Sequence, residues 1–201
     1  MTSLPDIPPK EQPQAEQAQA RPILSTLLEL FQTLLLAAAL FLMVNALTAR
    51  IRVEGPSMES NLFDSDVVIV NRLAYRWDTP ERGDIIVFHY PLDPDRRLIK
   101  RVIGLPGDEI HIQGDQVYIN DAPLNEPYLS PRTDEGAEPL LDSSWILEDD
   151  EVFVMGDNRD HSHDSRHWGA LSIPAIIGKA VFIYWPPSQI GPIPHVDLPL
   201  P

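Results

Sequence analysis

A lysine stands among apolar residues in a predicted strand, where a buried amine could act as a base. In residues 98–103 (LIKRVI) the side chains of a strand alternate, so Lys100 shares a face with Leu98 and Val102. Burial on that face disfavours the ammonium form and lowers the lysine pKa towards neutrality. A neutral lysine amine can accept a proton as a general base. The alternative is that Lys100 buries only its stem and keeps its amine in water.

A serine with a constrained backbone offers a nucleophile for that base. Ser57 follows Gly55 and Pro56 in the string GPSM, and a fixed backbone holds a nucleophile at one angle of attack. An ordinary turn is the alternative interpretation. A serine hydroxyl reacts slowly until a neighbouring base removes its proton. Three bases are available: Lys100, a histidine of residues 161–167 (HSHDSRH), or a metal-bound hydroxide.

A polar loop follows the apolar run EVFVM at residues 151–155. Its sequence, GDNRDHSHDSRHWG at residues 156–169, is dense in groups that form a braced hydrogen-bond network. Asp157 or Asp164 could pair with Arg159 or Arg166 through charge-assisted bonds. Ser162 could orient the amine of Lys100. These residues predict a loop that supports the site.

The same loop allows a metal centre as an alternative. His161 and His163, with nearby carboxylates, could hold zinc. The spacing H-x-H-D lacks the second, more distant pair of ligands that zinc sites use, and the chain has six histidines in all. We therefore predict no metal and no cofactor.

An uncharged segment near the start of the chain predicts a membrane helix. Residues 23–49 are mostly apolar, and residues 30–49 carry no charge. At a rise of about 1.5 Å per residue, a helix of residues 30–49 is long enough to cross a bilayer core of ~30 Å. A buried core helix would show a polar face. A cleavable signal peptide would have a shorter apolar run and a basic leader, although residues 44–46 (VNA) resemble a cleavage site. Flanking charges do not decide the orientation.

Composition excludes several classes of function. The chain of 201 residues carries 15 Lys and Arg against 30 Asp and Glu, a formal charge of −15. This balance argues against nucleic acid as a partner and against electrostatic docking on anionic lipid. The absence of cysteine excludes disulfides, thiol catalysis and cysteine-bound metals. Residues 1–22 are rich in Pro, Gln, Ala and Glu, which predicts a disordered segment.

The rest of the chain predicts a mainly β domain at residues 50–188. Runs of β-branched and aromatic residues predict strands at 66–71, 84–90, 98–103, 109–113, 116–120, 151–155 and 179–185. Gly114 and Asp115 form a two-residue loop typical of an antiparallel hairpin. We expect residues 121–150 to leave the sheet as a loop excursion and residues 189–201 to form a proline-rich tail. The fold class is an antiparallel β-sheet domain preceded by one transmembrane helix.

Four strings occur in an order that resembles the type I signal peptidase family, the membrane-bound serine/lysine endopeptidases. They are GPSM, RGDIIVF, IKRVIGLPGD and GDNRDHSHDSRHWG. The resemblance covers the chain from the apolar segment to about residue 185. It implies Ser57 as the nucleophile, Lys100 as the general base and Ser162 as the residue that orients Lys100. It also implies roles in supporting the site for Asp157, Arg159, Asp164 and Arg166. For Arg101 and Asp108 it implies structural roles.

One departure from the family pattern concerns the oxyanion. Some members carry a serine two residues before the nucleophile, where this chain has Gly55. We expect the oxyanion to be held by the backbone N–H of Ser57, by a backbone group of Gly55 or by water. Met58, Leu62 and Ile99 are close in sequence to the dyad, and we expect them to line shallow pockets for small substrate side chains.

The resemblance implies an endopeptidase that removes signal peptides from exported preproteins at the extracytoplasmic side of a plasma or internal membrane. Its partners would be those preproteins and the lipid bilayer around the helix. Three alternatives of other classes stay open: a membrane-tethered metallohydrolase using His161 and His163, a catalytically silent binding module, and a self-cleaving Ser/Lys repressor. The membrane span and acidic charge count against the repressor.

Overall fold

The computed structural model describes residues 23–129 and 142–200. By their internal contacts the residues group into two units, Met1–Leu42 and Met43–Pro201, which are described separately. The predicted disordered segment 1–22 lies outside the described residues.

The first unit contains most of an apolar helix, α1 (Ile23–Leu47). The helix has no polar face, and its leucine and phenylalanine side chains from Leu27 to Leu42 are exposed. Its part Ser25–Leu47 is long and apolar enough to cross a membrane by length and composition. The helix ends two residues earlier than predicted, because Thr48 and Ala49 already pair as a strand.

The second unit is built mainly from short strands. They are β1 (Thr48–Arg52), β2 (Val67–Asn71), β3 (Ile85–Tyr90), β4 (Asp93–Gly104), β5 (Glu109–Gln113), β6 (Gln116–Ile119), β7 (Ala122–Pro123), β8 (Ser143–Ile146), β9 (Glu151–Met155), β10 (Leu171–Ser172), β11 (Ile176–Trp185) and β12 (Gly191–Pro192). A single turn of helix, α2 (Ser165–Trp168), precedes β10. Each of the seven predicted strands is present.

The strands form two sheets in which every described pair is antiparallel, which confirms the predicted fold class. The larger sheet has the order β1-β2-β11-β3-β4-β9-β10, with β12 also paired to β11. The smaller sheet has the order β7-β6-β5-β8. The hairpin between β5 and β6 turns at Gly114, whose φ of 56° matches the glycine-first loop.

Two loop predictions need correction. Within residues 121–150, β7 and β8 pair as the edge strands of the smaller sheet, so the described part of this segment does not leave the sheet structure. Residues 130–141 lie outside the described residues. In the proline-rich tail, β12 pairs with β11, and Leu198 is buried in the core. Strands β7, β8 and β12 are two to four residues long and two of them contain proline, so they show no strand alternation, and their pairing partners provide the order.

Strand β4 lies at the centre of the packing. It contributes one buried residue to each of three apolar clusters, namely Ile99, Val102 and Ile103. From Ile99 to Gly104 the strand is buried on both faces. Any polar side chain in this stretch is therefore removed from water, and Lys100 and Arg101 lie within it.

Candidate active site

The two residues expected to form a dyad meet in the structure. Lys100 Nζ lies 2.7 Å from Ser57 Oγ, although the residues are 43 positions apart in the chain. Lys100 is held on β4 opposite Ile86 of β3, and only 3% of its surface is exposed. Its amine also donates a hydrogen bond of 2.9 Å to the carbonyl of Ile99. The amine is buried, and so Lys100 does not snorkel to solvent.

The surroundings of Lys100 favour its neutral form. Burial lowers the pKa of Lys100 from 10.5 to about 8, while the charges of Asp164 and Asp157 oppose this shift. The charges of Arg96 and Arg166 add to the lowering. At pH 7 about a tenth of the amine is therefore proton-free and able to accept the Ser57 proton, and this fraction rises with pH.

The turn that carries Ser57 is fixed against the polar loop. The carbonyl of Ser57 accepts a 3.1 Å hydrogen bond from the backbone N–H of Asn158. Gly156 allows this approach, because a Cβ there would lie 2.4 Å from the Ser57 carbonyl oxygen and 2.3 Å from Ser162 Oγ. Neither Gly156 nor Asn158 was predicted to have a role. Their position in the string GDN, directly after a buried strand, could have indicated one.

The backbone at Gly55 corrects one expectation. The Gly55 N–H donates a 2.7 Å hydrogen bond to Asp64 Oδ1, so it is not free to bind an oxyanion. The hydrogen bonds that Asp64 accepts from the Gly55 N–H and the Ser65 hydroxyl hold the pKa of Asp64 below its usual range. The Ser57 N–H makes no hydrogen bond with the described residues and remains the backbone donor nearest the nucleophile.

Asp157 pairs with a residue other than the predicted arginines. Its two carboxylate oxygens accept hydrogen bonds of 2.8 and 2.7 Å from Arg101 Nε and Nη2, and both side chains are almost completely buried. Asn61 donates a third bond to Asp157. Burial raises the pKa of Asp157, and the bonds from Arg101 oppose this shift. The pair ties β4, which carries Lys100, to the loop that supports Ser57.

The other two predicted arginines brace the same loop. Arg166 Nε and Nη2 donate to Asp164 at 2.7 and 2.8 Å, one of the pairings considered from the sequence. Burial raises the pKa of Asp164, but the bonds and charge of Arg166, together with a hydrogen bond from the Gly156 N–H and the proximity of the Ser162 hydroxyl, hold the pKa below its usual range. Arg159 instead forms a buried ion pair with Glu126 and a 3.2 Å bond to the Tyr128 hydroxyl. Glu126 and Tyr128 were not anticipated.

Ser162 lies at the site without contacting Lys100 through a hydrogen bond. Its Oγ is buried and makes no hydrogen bond of ordinary geometry with the described residues, although its hydroxyl lies close enough to Asp164 to help lower the pKa of that carboxyl group. It lies against Gly156, next to the Ser57 carbonyl. Burying an unpaired hydroxyl costs free energy, and such a group in a native site calls for a role. The hydroxyl is thus available to a group that becomes charged during the reaction.

A cleft of about 580 Å³ opens onto the dyad and contains Ser57, Lys100 and Ile99 in its lining. Ile99 agrees with the expected substrate pocket. Met58 and Leu62 do not, because both are fully buried in the apolar core and do not line the cleft. A backbone hydrogen bond from Leu62 to the Met58 carbonyl closes a helical turn that directs both side chains into the core.

His161 and His163 of the loop contact different partners. His161 Nδ1 lies 3.3 Å from Asn158 Oδ1, and His163 Nε2 lies 3.1 Å from the Tyr90 hydroxyl. Within the described part of the chain, the carboxylates and histidine whose ligand atoms converge are Glu81, Asp84 and His195, away from Ser57. The metallohydrolase alternative needs His161 and His163 on one ion, an arrangement these contacts do not provide.

Comparison with known proteins agrees with this geometry. The family model described as "Signal peptidase, peptidase S26" matches residues 25–185. The chain belongs to the signal peptidase family, peptidase S26. Signal peptidase I of Leptolyngbya laminosa is 36% identical over 203 residues, which cover 95% of this chain and 96% of that protein. Signal peptidase I of Bacillus caldolyticus is 42% identical over 148 residues, 69% of this chain and 80% of that protein.

A crystal structure of a signal peptidase I from Enterococcus faecalis V583 is 31% identical and covers 51% of this chain and 97% of that chain, with a TM-score of 0.44. Membership of the family makes the chain a hydrolase, a serine-class peptidase that cleaves signal peptides.

Proposed function

We propose that this chain is anchored in a membrane by α1 and removes signal peptides from exported preproteins with a dyad of Ser57 and Lys100. The observation that carries the proposal is the 2.7 Å approach of Lys100 Nζ to Ser57 Oγ in a buried setting. A hydroxyl and a proton-free amine at this distance are a nucleophile and its general base.

Acylation uses both residues. Neutral Lys100 accepts the proton of Ser57 while Oγ attacks the carbonyl carbon of the scissile peptide bond. The Ser57 N–H stabilises the oxyanion that forms. The Lys100 ammonium then returns its proton to the leaving amine nitrogen, the C–N bond breaks, and an ester joins the signal peptide to Ser57.

Deacylation reverses the same proton path. Lys100, neutral again, takes a proton from a water molecule that attacks the ester carbon. The C–Oγ bond breaks, Lys100 reprotonates Ser57 Oγ, and the signal peptide leaves with a new carboxylate. Each cycle consumes one water molecule and needs no group beyond the chain's own residues.

An exposed strand edge supports the binding of an extended substrate. β3 pairs with β4 from Asp93 to Arg101, whereas β9 pairs with β4 only from Arg101 onward. Among the described residues, no strand covers the second edge of residues 95–99, which line the cleft. An extended peptide can add to such an edge through main-chain hydrogen bonds, while pockets select its side chains. Ile99, 7% exposed, lines the cleft beside the dyad, and we expect the substrate residue held there to have a small side chain.

The apolar helix supports the proposed location. A chain confined to the membrane meets a substrate whose signal peptide is held in the same bilayer at a raised effective concentration. We place the peptidase domain on the extracytoplasmic side, where the cleavage site of an exported preprotein emerges.

The test is cleavage of a model preprotein by the full chain in detergent, measured as kcat/KM between pH 6 and pH 9.5. Only the amine with no proton accepts the Ser57 proton, and burial sets the Lys100 pKa to about 8. We therefore expect kcat/KM to rise about tenfold per pH unit below that value and to level off above it. N-terminal sequencing of the product should place the cut after a small residue.

Ser57→Ala provides the blank for this experiment. Cleavage that persists in this variant, a rate that falls on alkalinisation, or a rate abolished by a chelator of divalent metals would each contradict the proposal. The chelator result would instead favour the metallohydrolase alternative.

A second prediction concerns Ser162. The Lys100 ammonium formed during acylation has three N–H donors, of which Ser57 Oγ and the Ile99 carbonyl accept two. The unpaired Ser162 hydroxyl is an available acceptor for the third, and a hydrogen bond to a charged group contributes about 1.5–3 kcal/mol. We expect Ser162→Ala to lower kcat about 10- to 100-fold, with KM and the melting temperature unchanged. A kcat within twofold of wild type would remove this role from Ser162.

A further inference from the structure

The charge of the catalytic cleft is opposite to that of the whole chain. Beyond the dyad, the described residues that line the cleft include four arginines and two carboxylates, whereas the whole chain carries a net charge of −15. The arginines lie on two strands, Arg50 and Arg52 on β1, and Arg96 and Arg97 on β4. A local positive field in an acidic protein favours a negative group in the cleft.

The two pairs of arginines differ in what they contact. The Arg50 guanidinium lies 5.7 Å from the centre of the Tyr184 ring, and Arg52 Nη2 donates to Ser65 Oγ at 2.8 Å. The guanidinium groups of Arg96 and Arg97 make no hydrogen bond or ion pair with the described residues, and both side chains are exposed. The β4 arginines therefore keep their full set of donors available.

Arg96 is the β4 arginine whose charge acts on the dyad. Arg96 and Arg97 both line the cleft, and the pairing of β3 with β4 shifts register beyond Arg97, so strand alternation does not choose between them. The field of Arg96 reaches the dyad: after burial, its charge is one of the causes of the lowered pKa of Lys100. It also acts on His163, which lines the same cleft and whose pKa is lowered first by burial.

The rise per residue of a β-strand indicates which substrate residue lies opposite Arg96. Arg96 and Lys100 are four residues apart on β4, about 13 Å at ~3.3 Å per residue. An extended peptide paired along the free edge of β4 advances by the same distance per residue. The substrate residue opposite Arg96 is thus about four residues from the one held at the dyad.

We propose that Arg96 is a specificity-determining residue that binds an acidic side chain of the preprotein about four residues from the cleaved bond. This inference rests on the proposed function, because it uses a substrate paired along β4. An Arg–carboxylate contact at an exposed site contributes about fivefold in kcat/KM, and more where it is bidentate and partly screened from water.

The experiment uses four peptide substrates cleaved by the full chain in detergent at low ionic strength. Two carry Glu or Gln at the fourth residue before the cleaved bond, and two carry Glu or Gln at the fourth residue after it. For one of these pairs we expect wild type to prefer Glu by about fivefold. We expect Arg96→Gln to abolish this preference, and 0.5 M salt to reduce it in wild type.

Arg76→Gln serves as the matched control, because it removes the same charge from an exposed position that does not line the cleft. It should keep the preference for Glu to within twofold. Arg97→Gln tests the other β4 arginine of the cleft in the same assay. Equal rates for Glu and Gln in both pairs, or a loss of preference in Arg97→Gln as large as that in Arg96→Gln, would overturn the inference.

The failure of this inference is distinguishable from failure of the proposed function. Wild type that cleaves all four peptides equally retains the Ser57 and Lys100 chemistry and loses only the role of Arg96. An effect of Arg96→Gln seen only in vesicles of anionic lipid, with equal loss for Glu and Gln substrates, would assign Arg96 to the bilayer and also overturn the inference.

Discussion

Replacing Lys100 with arginine is expected to lower kcat/KM by about 10⁴ or more while the chain still folds. Losses of this size follow the removal of a catalytic nucleophile or of its general base. An arginine keeps the positive charge but stays protonated at any working pH, so it cannot accept the Ser57 proton. Lys100 is 3% exposed and its Nζ lies 2.7 Å from Ser57 Oγ, which leaves no other described base at this distance. Cleavage of a model preprotein is the measurement.

Because a guanidinium is larger than an amine, a second variant separates chemistry from packing. Lys100→Met has similar length and no charge, and it removes a group whose burial disfavours its ionised form. We expect it to be inactive and to melt at or above the temperature of wild type. Raising the pH from 7 to 9 should accelerate wild type and neither variant. Turnover above the Ser57→Ala blank in either variant would end the assignment of Lys100 as the general base.

Replacing Arg101 with methionine is expected to cause the largest loss of stability. Asp157 then keeps its negative charge or takes up a proton in a buried site without its two bonds from Arg101. Breaking a buried ion pair on one side costs about 3–5 kcal/mol. Arg101 also donates 2.7 Å to the Gly83 carbonyl and lies 4.2 Å from the centre of the Tyr128 ring, so these contacts are lost too. We expect the melting temperature of the full chain in detergent to fall by about 10 °C.

The double variant Arg101→Met, Asp157→Leu provides the control. It removes the second charge as well, and apolar pairs often replace buried ion pairs at little cost. We expect it to recover most of the lost melting temperature. Its activity should stay low, because the pair joins β4 to the loop whose Asn158 N–H holds the Ser57 carbonyl. A single variant that melts within 2 °C of wild type would contradict the structural role of the pair.

The local features of the site could be predicted from the sequence. Alternation in residues 98–103 indicated a buried lysine, because a strand of period two places every second side chain on one face. The hairpin at Gly114 and Asp115 could be predicted because two-residue loops allow few backbone conformations. The apolar segment indicated a helix able to span a membrane because its length and lack of charge are properties of the segment alone. The four strings in order carried the family resemblance.

Contacts between distant residues could not be predicted in this way. Asp157 binds Arg101, 56 positions away, although Arg159 and Arg166 are its neighbours in sequence. Gly55 was expected to offer a backbone group to the oxyanion, but the carboxylate of Asp64 already accepts its N–H. Met58 and Leu62 were placed in the cleft because of their closeness to Ser57, and a helical turn directs them into the core.

The sequence by itself determined which residues could do chemistry and where the apolar helix and the seven longer strands run, and it indicated a lysine on the apolar face of a strand. These properties depend on interactions within a few residues, which composition and periodicity record. The tertiary structure alone decided that Lys100 meets Ser57, which donors stay free and which side chains face the cleft. Those outcomes depend on strand order and register, which bring together residues that share no pattern along the chain.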